Sequence, residues 1–377
     1  MTSSRTAATG DSARRKWSAS GRRPRAPRSR VSGSGSATSA CSSGRTTLES
    51  AMWIVGVDVG GTTTAAGVVT EGGEVVADVT APTERSDPGR AVDAIAALIE
   101  QVSQRMGRRG TAIGIGVPGP VDTRSGRVGE PVTHVPALAG LAVGPELARR
   151  CGLPVFVDND VNALALGEWM FGAARGATSL VVLAAGTGVG GGIVLDGHLV
   201  RGAGFGGELG HTPVKFDGPP CFCGGRGCLA IYASGRGIAD AARARIAGEA
   251  SSRMLAAAGG DPTAITAAMV FRAAAEGDPV AASVVDEACR ALGATIGTIV
   301  NGLNPEVIVI TGGVARSLAP LEARILGAAR DHAFARALGA TRVAIVPGDK
   351  RAGVRGAAAL ALYETRERTT ERRRTAP

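Results

Sequence analysis

His211, Cys221, Cys223 and Cys228 place one imidazole and three thiols within eighteen residues, in a chain with six cysteines and four histidines. Thiolates with an imidazole are the donor set that Zn²⁺ takes in tetrahedral sites. No secretory segment accompanies the cluster, so a metal site accounts for the crowding better than a disulfide framework does. Four protein ligands leave no open position for water, which marks a structural ion and argues against hydrolytic chemistry. The alternative, unrelated buried cysteines and a satisfied histidine, fits the short spacing and the Gly-rich CFCGGRGC loop less well.

Gly-rich turns offer a second chemistry. Asp58-Val59-Gly60-Gly61-Thr62-Thr63-Thr64 lies between two strand-like runs, and GTGVGGG, from Gly186 through Thr187 and Gly188 to Gly192, lies between two others. Glycine lets backbone N–H groups approach an anion, and threonine hydroxyls add donors. Either turn alone is equally well a tight hairpin; the pair favours two phosphate-gripping hairpins facing each other across a cleft. Gly312-Gly313, ending the run EVIVIT, would add a third close backbone approach. A dinucleotide fingerprint, Gly186-x-Gly188-x-x-Gly191, needs a helix next, whereas IVLDGHLV reads as strand and turn. No Gly-Lys-Ser/Thr follows either turn, so there is no P-loop.

Asp158-Asn159-Asp160 closes the strand-like PVFVD ahead of the helical VNALALGEWMFG. Polar groups at the C-terminal end of a strand lie where ligands bind in open α/β sheets. Capping of the following helix by Asn159 or Asp160 is the structural alternative. A carboxylate beside a phosphate cleft can take the proton from an attacking hydroxyl. An amide both donates and accepts, as recognition of a polyol requires.

The elements that must position these groups follow from hydrophobic spacing. Residues 53–59, 65–69 and 74–80 read as strands separated by Gly-rich turns, and 89–106 as an amphipathic helix carrying Val92, Ile95, Ile99 and Val102. A strand at 112–117 ends at Pro118-Gly119-Pro120, a short helix around Leu147 closes at Gly152, and a buried strand occupies 154–158. The second half repeats the plan with strands at 179–185, 191–195 and 198–202, helices near 235–247 and 279–301, and strands at 306–311 and 342–347. Each half opens with a strand, a glycine turn and a returning strand, which implies an internal duplication.

A length of 377 residues suits about two domains. The net charge of +9 is confined to the ends: residues 1–51 carry +8 and residues 364–377 carry +2, leaving −1 for the body. A near-neutral body lacks the basic face that nucleic-acid binding needs, and no apolar run is long enough for a transmembrane helix. Residues 1–51 hold few large apolar residues beyond Trp17, Val31 and Leu48, so they are expected to be a disordered extension, with Met52 as the natural start.

In order along the chain, DVGGTTT, GVPGPVD (116–122), DNDVNALALGE (158–168), GTGVGGG, GGELGH (206–211) with CFCGGRGC, and ITGGVA (310–315) resemble the motifs of the ROK family of sugar kinases and sugar-responsive repressors. The resemblance covers about residues 52–363. It implies an α/β fold of two duplicated RNase H-like, actin-like ATPase domains with a cleft between them: 52–162 plus about 350–364, then 163–349 with the zinc loop, and a disordered tail at 365–377. It also implies ATP-dependent phosphorylation of a hexose, usually at the 6-hydroxyl, with Mg²⁺ and a structural Zn²⁺. Asp160 would be the base, and Asp58 would organise the Mg²⁺ hydration. Gly119, Asn159 and Glu208 would line the sugar, and His211 would ligate zinc through one ring nitrogen and reach the sugar through the other. Gly60, Gly61, Thr62, Thr63, Gly186, Thr187, Gly188, Gly312 and Gly313 would hold the nucleotide. A cytoplasmic homodimer or homotetramer is the family's usual form.

Two positions depart from the family. Leu229-Ala230 stands where a Leu-Glu is usual, which removes a sugar-gripping carboxylate, and Thr63 stands where many such kinases have Lys. Losing a charge-assisted hydrogen bond costs about 1.5–3 kcal/mol, so weaker binding of glucose or a differently substituted sugar is expected. A repressor of the family carries a winged helix ahead of its sugar domain, which residues 1–51 are too short and apolar-poor to supply. A non-catalytic sugar sensor is the remaining alternative, and Asp160 with both phosphate turns argues against it.

Overall fold

The computed structural model describes residues 52–107, 109–246, 252–349 and 351–375. The extension read at 1–51 lies outside them. The first sheet contains β1 (Trp53–Val59), β2 (Thr63–Thr70), β3 (Val75–Pro82), β4 (Ala112–Val117) and, beyond the small hairpin of β5 (Val121–Asp122) and β6 (Arg127–Val128), β7 (Val155–Asn159). Its order is β3-β2-β1-β4-β7, an antiparallel meander extended by two parallel strands. The second sheet contains β8 (Leu180–Ala185), β9 (Val189–Leu195), β10 (His198–Leu199), β11 (Val307–Thr311) and β12 (Arg342–Ile345) in the order β10-β9-β8-β11-β12. The same meander and the same parallel extension recur, as the duplicated sequence plan implies.

Period-two alternation assigns the faces. Val55, Val57 and Val59 of β1 and Ile113, Ile115 and Val117 of β4 pack outward against α1 (Pro88–Met106) and α2 (Val143–Cys151). Asp87 starts α1 as an N-cap, its side chain accepting from the Arg90 N–H, and Gly107 ends it in the left-handed region. On the second sheet Val181, Leu183, Ile308 and Ile310 face α4 (Leu229–Ala233), α5 (Gly235–Arg245) and the long helix Pro279–Gly302. The inner faces, through Ile54, Phe156, Val182, Val194, Val307 and Val309, share one apolar layer with α3 (Asp160–Met170) and the C-terminal helix Ala352–Thr375.

That middle layer is unusually close to the first sheet. A Cβ at Gly114 of β4 would lie 1.8 Å from the Ala357 carbonyl oxygen, and one at Gly56 of β1 would lie 2.0 Å from that of Val354. The helix backbone therefore rests on the strands with no side chain between them.

The structure departs from the sequence reading in several places. The tail expected at 365–377 is helical to Thr375, where the Thr365, Thr369 and Thr370 hydroxyls donate to carbonyls four residues earlier and Arg368 lies 4.8 Å over the Phe156 ring. High charge made the segment look solvated, although a charged helix can run past the core it is anchored to. The strand expected at 198–202 pairs only at His198–Leu199. Short helices at Arg253–Ala257, Ala267–Ala275, Glu322–Arg330 and Ala335–Ala340, in Ala-rich stretches of weak periodicity, went unassigned. No described helix is long and apolar enough to cross a membrane.

Gly114→Ala is expected to destabilise the protein by about 3 kcal/mol or more, the upper range for overpacking, because the atom it meets is backbone. Thermal melting checks this; an unchanged midpoint would show that the helix does not seat on β4.

Candidate active site

Register brings the acidic groups to one edge. Asp58 pairs with Gly116 across β1 and β4, and Gly116 pairs with Asp158 across β4 and β7. Asp160 opens α3 directly after β7, and a Cβ on Gly116 would lie 3.2 Å from its Cα. Asp58 and Asp160 thus flank the end of β4. Asp58 faces inward, and a Cβ on Gly353 of the C-terminal helix would lie 2.0 Å from its Oδ2.

Asn159 is the N-cap of α3, its Oδ1 accepting from the N–H groups of Val161 at 2.9 Å and Asn162 at 3.2 Å. Its Nδ2 donates to the Gly119 carbonyl at 3.2 Å, which ties the turn after β4 to the start of the helix. Capping leaves the amide one further N–H that could meet a ligand. Gly119 itself adopts φ +98°, a conformation that a side chain would strain.

Burial drives the carboxylates upward. Asp58 is raised from its ordinary value to about 6 by desolvation. Asp160 is raised to about 7, first by desolvation and then by the negative charges of Asp58 and Glu208. Three acids therefore share one field, with Asp160 at its centre. Such a group accepts a proton readily near neutrality, as a general base must. Oxygen donors of like charge in one place are also the ligand type that a hard divalent cation such as Mg²⁺ takes.

The second glycine turn lies against this edge. β9 runs between the start of α3 and the His211 turn: a Cβ on Gly190 would meet Val161 Cγ2 at 2.6 Å on one face, and a Cβ on Gly210 would meet the Val189 carbonyl oxygen at 1.8 Å on the other. Part of the GTGVGGG composition thus serves packing. Gly186 and Gly188 at the turn have open space around them, and the Gly235 N–H at the start of α5 donates to the Gly186 carbonyl at 2.8 Å. Thr187 and Gly188 are exposed. Gly312 and Gly313 follow β11 beside this turn, where the Val314 N–H donates to the Ala185 carbonyl at 2.9 Å. In the first half the Gly60 N–H closes the hairpin onto the Thr63 carbonyl at 3.1 Å, Gly61 abuts His134, and Thr62 and Thr63 are exposed.

The side-chain donor atoms of His211, Cys221, Cys223 and Cys228 all lie within 4.8 Å of one another. Cys223 and Cys228 sulfurs are 3.7 Å apart, and His211 Nδ1 is 3.6 Å from the Cys221 sulfur. Edges near 3.8 Å are those of a tetrahedron with Zn–S bonds of about 2.3 Å, so the arrangement fits zinc with Nδ1 as the His donor. Cys228 leads straight into α4, where Ala230 is buried and offers no polar group. Glu208, three residues before His211, is exposed.

Residues missed in the sequence complete the junction. Arg201 Nε donates to Asp158 Oδ2 at 2.7 Å and its Nη2 to Glu364 Oε1 at 2.6 Å, while Asn162 Nδ2 donates to Asp158 Oδ1 at 3.0 Å. Partners so far apart in sequence leave no local spacing to read.

The chain also matches known proteins. The profile of the ROK family matches residues 54–364. A glucokinase from Thermotoga maritima is 36% identical over 313 residues, covering 81% of this chain and 96% of that protein. A ROK family glucokinase from Streptomyces griseus, solved with glucose and AMPPNP, superposes with TM-score 0.65 at 34% identity, covering 82% of this chain and 99% of that one. A ROK family transcriptional regulator, a homologue of the E. coli MLC protein, superposes with TM-score 0.73 at 32% identity, covering 83% and 79%. Matched over nearly all of its described length, with one sheet order repeated in both halves, the chain belongs to the ROK family.

Proposed function

We propose that this protein is an ATP-dependent hexose kinase, with glucose as the first substrate to test and transfer to the 6-hydroxyl. The observation that carries the reading is Asp160, a desolvated carboxylate raised to about 7 at the end of β4, beside a second acid and against the strand of a glycine turn. Phosphoryl transfer requires positioning, charge neutralisation and one base on the nucleophile. Asp160 takes the proton of the attacking hydroxyl. Asp58 would organise the hydration of Mg²⁺, which would supply neutralisation of the phosphate charge. Backbone N–H groups at Gly60–Thr63, Gly186–Gly188 and Gly312–Gly313 grip the nucleotide.

Gly119, Asn159, Glu208 and His211 Nε2 form the sugar side, with zinc on Nδ1 and the thiolates of Cys221, Cys223 and Cys228 fixing that wall. We assign 52–162 with about 350–364 to one half and 163–349 to the other. The recurrence of one sheet order in both supports the division, although residue 162 lies within α3. Ala230 leaves the sugar wall one carboxylate short, which favours a weaker grip on glucose or an N-acylated or otherwise substituted hexose. A sugar-responsive regulator would not need the base and both phosphate turns.

ADP release over a panel of hexoses and N-acylhexosamines tests the reading. Asp160→Asn is expected to lower kcat by about 10²–10⁴ while sugar binding, followed by calorimetry, persists. Near-normal turnover would exclude Asp160 as base. In the same panel Ala230→Glu is expected to lower the KM for glucose by about ten- to hundredfold, the equivalent of one charge-assisted hydrogen bond.

The pH profile supplies a separate check. A carboxyl raised to about 7 is protonated below that pH and cannot accept a proton, so kcat/KM should rise about tenfold per unit up to neutrality and then level. A profile already level at about pH 5 would place the base at an ordinary carboxylate value.

A further inference from the structure

We infer that Arg201 is a positioning residue for transfer, a strut that fixes the base-bearing segment of one half against the sugar-side loop of the other. The inference rests on the hexose kinase reading above.

Arg201 lies just beyond β10 and makes contacts in three directions. Its Nε donates to Asp158 Oδ2 at 2.7 Å, two residues before the base. Its Nη2 donates to Glu364 Oε1 at 2.6 Å on the C-terminal helix. Its main-chain carbonyl accepts the N–H groups of Gly204 and Gly206, both at 2.9 Å, and so shapes the turn that leads to Glu208 and His211. The guanidinium also lies 5.9 Å from the centroid of the Tyr363 ring, and the Tyr363 hydroxyl accepts the Leu199 N–H at 3.2 Å. Side-chain exposures of 3% for Asp158, 24% for Arg201 and 18% for Glu364 keep the network largely out of water.

Asp158 has both carboxylate oxygens engaged within the protein, Oδ2 by Arg201 and Oδ1 by Asn162 Nδ2 and the Asn159 N–H, so the first turn of α3 is oriented through it. A planar fork that reaches two carboxylates at fixed angles transmits position as a point charge would not. Removing the fork leaves the acids in place but loosens the distance between Asp160 and Glu208. The nucleotide turns at Gly186–Gly188 and Gly312–Gly313 are tied by their own main-chain bonds and should be unaffected.

Steady-state kinetics and melting of Arg201→Met and of the charge-free triple variant Arg201→Met, Asp158→Asn, Glu364→Gln test this. Arg201→Met is expected to raise the sugar KM and lower kcat, for a combined loss of about 10²-fold in kcat/KM for sugar, the scale of a misplaced reacting group. The KM for ATP should stay within about twofold, because uniform nucleotide binding is untouched. The triple variant removes the uncompensated buried charges, so its melting midpoint should recover toward wild type while the sugar-side loss persists. Should Arg201→Met fail to fold, the triple variant carries the test alone. The inference is overturned if a folded variant keeps the wild-type sugar KM and kcat, or if the triple regains both with its melting midpoint, which is the pattern of a purely stabilising network. Wild-type protein with no turnover on any sugar would instead overturn the kinase reading, and the inference with it.

Discussion

The contact on which the structure depends is the seating of the C-terminal helix on the first sheet, backbone against strand, at Gly56 and Gly114. A helix normally stands off a sheet by the length of its side chains, and that gap would leave the ends of β1, β4 and β7 open to solvent. Here the gap is closed. The helix passes over the edge where Asp58, Gly116 and Asp158 lie side by side, and Gly353 brings its backbone against the Asp58 carboxylate. The same helix and α3 form the apolar layer shared by both sheets, so the position of Asp160, the first residue of α3, is set by packing from both halves.

Electrostatics follow from that packing. Desolvation is the largest cause of the raised values of both Asp58 and Asp160, and the negative charges of Asp58 and, less, Glu208 add to it at Asp160. An acid cluster in a tight site is unfavourable in the resting protein and becomes useful when a cation and a hydroxyl enter it. Asp158, by contrast, is compensated by Arg201 within the same few residues. Neighbouring carboxylates in one tripeptide are therefore placed differently: Asp158 is ion-paired with Arg201, and Asp160 has no ion pair among the described residues, as the proposed base requires.

Much of this was legible in the sequence where the signal is local. Alternation in WIVGVDV and AIGIGV located the strands, turn chemistry located the hairpins, and the His211 and Cys221–Cys228 spacing located a cluster whose donor atoms converge. Order alone gave the duplication. What the sequence did not disclose depends on distance along the chain: the ion network joins residues 158, 201 and 364, and Gly56 and Gly114 in the strands show their purpose only once the C-terminal helix lies across them. Charge misled at residues 365–375, because composition reports solvation and says little about whether an anchored helix continues. The spacing of GTGVGGG suggests a phosphate turn or a tight hairpin and gives no sign that Gly190 is needed for contact with α3.

The central claim is that packing between the halves presents Asp160 to a sugar hydroxyl in front of the terminal phosphate. A crystal structure with glucose, Mg²⁺ and a non-hydrolysable ATP analogue tests it most directly. The account expects a sugar hydroxyl oxygen within about 3.2 Å of an Asp160 carboxylate oxygen, the range of a general-base contact, and aimed at the terminal phosphorus. A sugar seated with every hydroxyl beyond that reach, or bound away from the β4 edge, would contradict it.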